Sequence, residues 1–104
     1  MREICLIRAD KTRPALILTR NAARAAMTSV TVAPITSTVK GLCSEVAVGP
    51  ANGLDHPCVV SLDNVMTLPV ERLGRTLGYL NETQEVALAK AVELTFDLDL
   101  SDPL

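Results

Sequence analysis

The chain has 104 residues, of which 48% are hydrophobic, 21% charged and two aromatic, with a formal net charge of −2. One domain of this length can bury a core, the composition excludes a disordered chain, and no apolar run approaches the roughly 20 residues of a membrane span. The charge is uneven: residues 1–40 carry seven Lys and Arg against two acidic residues, a balance of +5, and residues 41–104 carry three against ten, a balance of −7.

The N-terminal stretch "MREICLIRAD" is broken by Arg8 and Asp10 and leads to no small-residue cleavage site, so a cytoplasmic protein is expected. "EICLIRA" and "PALILT" are branched, apolar, strand-like runs separated only by "DKTR". "NAARAAM" offers a turn of helix before a strand over residues 29–36. "SEVAV" alternates, "GPANGLDH" is a turn-rich loop, and "PCVVSL" is a short continuous apolar run that suits a buried strand. "NVMTL" and "RTLGYL" complete a β portion of short strands joined by Gly, Pro and Asn turns, which points to a small barrel or compact sandwich.

The last element is helical. Asn81 with Gln84 resembles a capping box, and "ETQEVALAKAVELTF" has helical periodicity. Leu88, Ala89, Val92 and Phe96 share one face, opposite a mostly polar stripe through Glu82, Lys90 and Glu93. Ala87, Ala91 and Leu94 add a second apolar flank, wide enough to cover the barrel on one side and a neighbouring subunit on the other. A single domain over residues 1–104 follows, with no repeats and no linker.

Two features bear on chemistry. The strand in "SVTVAPITSTVKG" runs out into Thr36, Ser37, Thr38 and Lys40, three hydroxyls and a cation at a strand mouth. The charge asymmetry hints at an anionic partner for the basic half, or only at an uneven surface. With Tyr79 and Phe96 as the only aromatics, nucleic-acid binding has to use charge, hydroxyls and backbone groups rather than stacking platforms. The cysteines, Cys5, Cys43 and Cys58, are odd in number and match no zinc or CxxC spacing. Cys5 and Cys58 lie in apolar runs and read as buried thiols, and no grouping of Asp, Glu, His or Cys has the makings of a metal site. No cofactor is expected.

In order and spacing, "REICLI", "TRPALIL", "VTVAPITSTVKGLCSEV", "NGLDHPCVVSLDNVMTL" and "RLGRTLGYL" resemble the MazF/PemK (Kid) family of bacterial toxins, from Glu3 to about Leu94. The resemblance implies an SH3-like barrel of short, mostly antiparallel strands with a C-terminal α-helix. It also implies a homodimer, a cognate MazE-like antitoxin, and sequence-specific cleavage of single-stranded RNA without a metal. By position, Arg13 of "TRP" matches the family's active-site arginine and Thr36 of "PIT" its active-site threonine. Ser37, Thr38 and Lys40 fall in the loop bordering the RNA groove, and Asp63 and Asn64 of "LDNV" match an acidic–amide pair near the site.

The chemistry suits these residue types. Attack of a 2′-OH on its neighbouring phosphate loads charge onto phosphoryl oxygens, and a guanidinium binds two such oxygens at once while hydroxyl and backbone donors take another. On spacing alone, Arg13 could be a solvated turn residue, and Thr36 to Thr38 an ordinary Ser/Thr turn. The loop before Arg13, "ADKTRP", is shorter than in most relatives, so any general base carried there is expected to be missing. His56, the only histidine and of the residue type that titrates near neutrality, and Asp63 are the candidates left, beside water. Met66 stands where relatives often carry Arg or Lys, which points to a different RNA sequence preference. Two rival readings stay open: an RNA-binding barrel without cleavage, and a toxin that blocks a protein such as DNA gyrase.

Overall fold

The computed structural model describes residues 2–98, so residues 99–104 of the expected single domain lie outside the described residues. Seven strands run in the order expected: β1 Glu3–Arg8, β2 Thr12–Ile17, β3 Ser29–Thr36, β4 Glu45–Val48, β5 Cys58–Ser61, β6 Met66–Pro69 and β7 Leu73–Tyr79. A single helical turn, α1 Asn21–Arg24, precedes β3, and α2 Glu82–Thr95 follows the sheet. Neighbouring strands are antiparallel in the order β4-β5-β3-β2-β1-β7, with β6 attached to β3.

β3 is the hub. Its first half pairs with β6, its middle with β2, and its last two residues, Ile35 and Thr36, with β5. Changing partners along one strand curls the sheet into a half-barrel, the architecture expected from the resemblance. The first strand also meets the last, with Glu3 opposite Tyr79 and Cys5 opposite Thr76.

The continuous apolar runs have a simple cause: β1, β2 and β3 bury both faces. Ile4, Leu16, Ala33 and Ile35 join the main core under α2, while Cys5, Ile7, Ala15, Ile17, Val30 and Val32 form a second cluster on the other face. Cys5 and Cys58 are buried and Cys43 is exposed, all with free thiols. Burial, followed by the nearby Glu3 charge, pushes the Cys5 thiol up to about 11.

α2 starts at the expected cap. Asn81 Oδ1 accepts the Gln84 N–H at 2.8 Å, and Gln84 Oε1 accepts the Asn81 N–H at 3.0 Å. It ends with Asp97 at φ +56 and a 2.8 Å bond from the Leu98 N–H to the Glu93 carbonyl, a left-handed cap. Its packing face differs from the sequence expectation. Leu88 and Ala91 are the buried pair, whereas Ala89 and Phe96 are exposed. The reason lies at the first turn, where Gln84 Nε2 donates to the Ala47 carbonyl at 3.3 Å and to Asn52 Oδ1 at 2.9 Å. That anchor sets the rotation of α2 and brings Ala91, from the expected outer flank, onto the sheet.

Asn52 is the hub of this anchor, only 2% exposed. It donates to the Tyr79 carbonyl and to Gln84, and it accepts from Gln84 and from the Gly49 N–H. Next to it the backbone passes so close to β7 that a Cβ on Gly53 would lie 1.9 Å from the Leu77 carbonyl oxygen.

Candidate active site

Strand register brings the two leading candidates together. The β2–β3 ladder ends where Ala15 pairs with Pro34, and Arg13 and Thr36 each lie two residues beyond that pair, at the same end of the two strands. Arg13 has the same parity as Ala15 and Ile17, and Thr36 the same as Val30 and Val32, so both project from the second-cluster face beyond its apolar edge. There they help line a pocket of about 580 Å³, with Thr38, Lys40, Glu45, Asp63, Asn64 and Met66 among its other walls. Six of the seven site residues expected from the sequence therefore meet in one place. Ser37 is exposed and does not line this pocket.

Each wall has an identifiable support. Thr36 Oγ1 accepts the Thr38 N–H at 3.1 Å, which leaves its own hydroxyl proton available to donate into the pocket. Asp63 lies on the 3-10 turn Leu62–Asn64 after β5, and Ser44, itself 3% exposed, donates its hydroxyl to Asp63 Oδ2 at 2.5 Å. The Leu62 N–H bonds the Ser44 carbonyl at 3.0 Å, so the loop after β3 and the turn after β5 are tied twice. Asn64 Nδ2 donates to Ser61 Oγ at 2.8 Å.

The electrostatics are mixed. Arg13 Nη2 pairs with Asp10 Oδ1 at 2.8 Å in the turn between β1 and β2, and Arg13 Nε is buried without a partner among the described residues. Slight desolvation works against ionisation of Asp10, but the Arg13 charge and the Lys11 N–H outweigh it and hold the carboxyl below the usual carboxylate range. The shortened loop thus keeps an acidic residue beside the arginine, as its ion-pair partner and not as a wall of the pocket. The Lys40 ammonium has no ion-pair partner among the described residues. The Glu45 carboxylate accepts backbone amides and Asp63 accepts Ser44, so both negative groups are occupied locally.

His56 is elsewhere. It lines a separate pocket of about 280 Å³ with Leu6, Pro14, Cys58 and Arg75, and not the one holding Arg13 and Thr36. Among the described residues, no three His, Cys, Asp or Glu side chains come together as a metal site. Sequence reasoning passed over Asp10, Ser44 and Glu45. Asp10 is signalled only by its position three residues before Arg13, and Ser44 and Glu45 only by following the hydroxyl-rich loop.

Comparison with known proteins agrees with this geometry. Residues 7–96 match the profile of the PemK-like, MazF-like toxins of type II toxin–antitoxin systems. The chain is 57% identical over 99 residues to endoribonuclease MazF3 of Mycobacterium tuberculosis, covering 95% of this chain and 96% of the relative. It is 35% identical over 86 residues to the probable endoribonuclease MazF5 of the same species, covering 82% and 79% of the two chains. In three dimensions it superposes on the Mycobacterium tuberculosis toxin MazF-mt6 with a TM-score of 0.92 at 56% identity, covering 94% of this chain and 99% of the other. A curled half-barrel capped by one helix, an arginine and a threonine lining one pocket, and this likeness over nearly the whole chain lead to one assignment: the chain belongs to the PemK-like, MazF-like toxin family of type II toxin–antitoxin systems.

Proposed function

We propose that this chain is the toxin of a toxin–antitoxin pair, an endoribonuclease that cuts single-stranded RNA through its own 2′-hydroxyl. The observation that carries the reading is the convergence of Arg13, Thr36 and Lys40 on one pocket. In the reaction, the 2′-oxygen bonds to the adjacent phosphorus as its proton leaves, and the 5′-oxygen departs and takes up a proton. The products are a 2′,3′-cyclic phosphate and a free 5′-OH. The Arg13 guanidinium offers paired donors to the phosphoryl oxygens, and the free Thr36 hydroxyl proton offers another where charge accumulates. Lys40 steers the polyanion. Of the two bases weighed from the sequence, Asp63 lines this pocket and His56 does not.

The antitoxin contact follows from the same surface. An acidic and apolar antitoxin segment lying across Arg13 and Lys40 excludes RNA, and both ligands weaken as salt rises because they neutralise the same cations. A second copy of the chain covers the outer face of α2, where Val86 is 72% exposed and Phe96 52%. Among the described residues no helix is long and apolar enough to cross a membrane. On the ribonuclease reading the site of action is the cytoplasm, where the RNA is.

The deciding experiment incubates the purified protein with a mixed RNA pool in excess EDTA and maps the cut ends. Cleavage should persist, and a substrate with one 2′-deoxy sugar 5′ of the cut should bind without being cut. Arg13→Ala and Thr36→Ala should each slow cleavage by about a hundredfold or more, and Arg13→Lys should not restore it. A requirement for metal, or full activity in Arg13→Ala, would overturn the mechanism.

A further inference from the structure

We infer that Glu45 is a positioning residue for the loop that walls the RNA pocket, a role that rests on the ribonuclease reading above. Its carboxylate turns back from the start of β4 beneath the preceding turn. Oε1 accepts the N–H groups of Gly41 at 2.8 Å, Leu42 at 3.2 Å and Lys40 at 3.2 Å, and Oε2 accepts Lys40 N–H again at 3.1 Å. Three successive amides converging on one centre make a concave anion nest. Gly41, at φ +73, supplies the left-handed residue that aims them inward, and a Cβ there would meet nothing within 4 Å, so conformation rather than crowding calls for glycine. The nest that could hold a phosphate is filled by the protein's own carboxylate.

The consequence reaches the pocket directly. Thr38, Lys40 and Leu42 line it, and Glu45 grips the backbone of two of these three. Between Thr36 and Glu45 the loop is otherwise held by the Thr38 N–H on Thr36 Oγ1, the Glu45 N–H on the Leu42 carbonyl, and the Ser44 contacts. Glu45 therefore sets where the Lys40 ammonium emerges relative to Thr36.

Charge alone makes the opposite prediction. A carboxylate on the wall of a polyanion site opposes binding, so its removal should strengthen RNA affinity. Positioning predicts that its removal damages the chemical step, because the same loop places the Thr38 N–H on Thr36 Oγ1, and a reacting group such as the Thr36 hydroxyl displaced by about 1 Å costs on the order of a hundredfold in rate.

The test uses the full chain carrying Glu45→Ala or Glu45→Gln. Three quantities are measured: the cleavage rate at saturating RNA, the affinity for uncleavable 2′-deoxy substrate, and hydrogen exchange of the 40–42 amides. For Glu45→Ala the expected result is a rate lowered about a hundredfold, affinity equal or higher, and faster exchange at 40–42 with Leu16 and Val32 still protected. Glu45→Gln keeps one oxygen that can accept the Gly41 N–H and should fall between the two. A native cleavage rate in Glu45→Ala, a loss confined to affinity, or unchanged exchange at 40–42 overturns the role. If Glu45→Ala fails to fold, Glu45→Gln decides: a native rate despite faster exchange at 40–42 sinks it. If the unaltered protein cuts no RNA, the ribonuclease reading fails, and the exchange measurement still decides whether Glu45 holds the loop.

Discussion

Replacing Asn52 by alanine tests the anchor that orients α2, and its cost can be worked from the contacts. The side chain makes four hydrogen bonds: to the Tyr79 carbonyl at 2.9 Å, to Gln84 Oε1 at 2.7 Å, from Gln84 Nε2 at 2.9 Å and from the Gly49 N–H at 3.0 Å. At about 1 kcal/mol each, and allowing about 1 kcal/mol back because the half-buried Gln84 can turn to water, the loss is about 3 kcal/mol. For a domain of this size, that corresponds to a fall in melting temperature of roughly 12–24 °C. Calorimetry at fixed protein concentration reads this directly, which matters if two chains associate. Gln84→Ala alone should cost roughly 1–2 kcal/mol, and the double variant should cost less than the sum by about 1 kcal/mol because the two amides bond each other. A shift below about 5 °C for Asn52→Ala, or strict additivity, would refute the view that this pair sets the helix.

Three further outcomes are expected. The exposed Cys43 thiol should react with Ellman's reagent at once, while Cys5, pushed up to about 11 by burial and the Glu3 charge, and Cys58, raised by burial and Asp55, should react only on unfolding; three equal rates in the native protein would contradict this. Burial raises the Glu3 carboxyl, but the Thr76 hydroxyl and the Arg24 guanidinium, 2.6 Å away, outweigh it, so it sits below its ordinary 4.5 and contributes stability that is complete above 4.5 and lost as pH falls through the lower folded value. Glu3→Gln should accordingly melt below the native protein near neutrality and converge with it in strong acid, and a gap that widens in acid would reverse the sign. Gly41→Ala, at φ +73 in open space, should cost about 1–2 kcal/mol, whereas Gly53→Ala must also push a Cβ off the Leu77 carbonyl oxygen and should lose far more in a urea titration; equal midpoints would contradict the close approach.

The strands were legible because each buried run is short, apolar and bounded by turn residues. "EICLIR" and "TRPALI" read as continuous rather than alternating because β1 and β2 face a core on both sides. The start of α2 was legible because the reciprocal bonds of Asn81 and Gln84 are local, three residues apart. Its rotation was not, because that depends on Asn52, 32 residues earlier in the chain. Arg13 and Thr36 stood out through the resemblance, but their meeting in one pocket depends on β2 and β3 pairing so that both fall at the same end. Glu45 and Asp10 escaped for a related reason. Each acts on neighbours in a folded turn, and a lone acidic residue in a loop, as Asp10 is, or at the first position of a strand, as Glu45 is, has nothing to distinguish it from a solvated charge. His56, attractive by residue type, is excluded from the Arg13 pocket by where its loop lands.

The pairing of β1 with β7 bears on how the protein is made. A ribosome releases β1, β2 and β3 early, and they can pair as they emerge, but the outer edge of β1 stays open until residue 79 is free. Through most of translation the nascent chain therefore exposes an unpaired strand edge, the usual template for aggregation. The pocket itself is assembled from residues between 13 and 66, so a message cut before that point yields no usable site. Closing the sheet joins Glu3 to Tyr79, a pairing that spans most of the chain, and pairings of that span carry a high loop-closure cost before their contacts reward it.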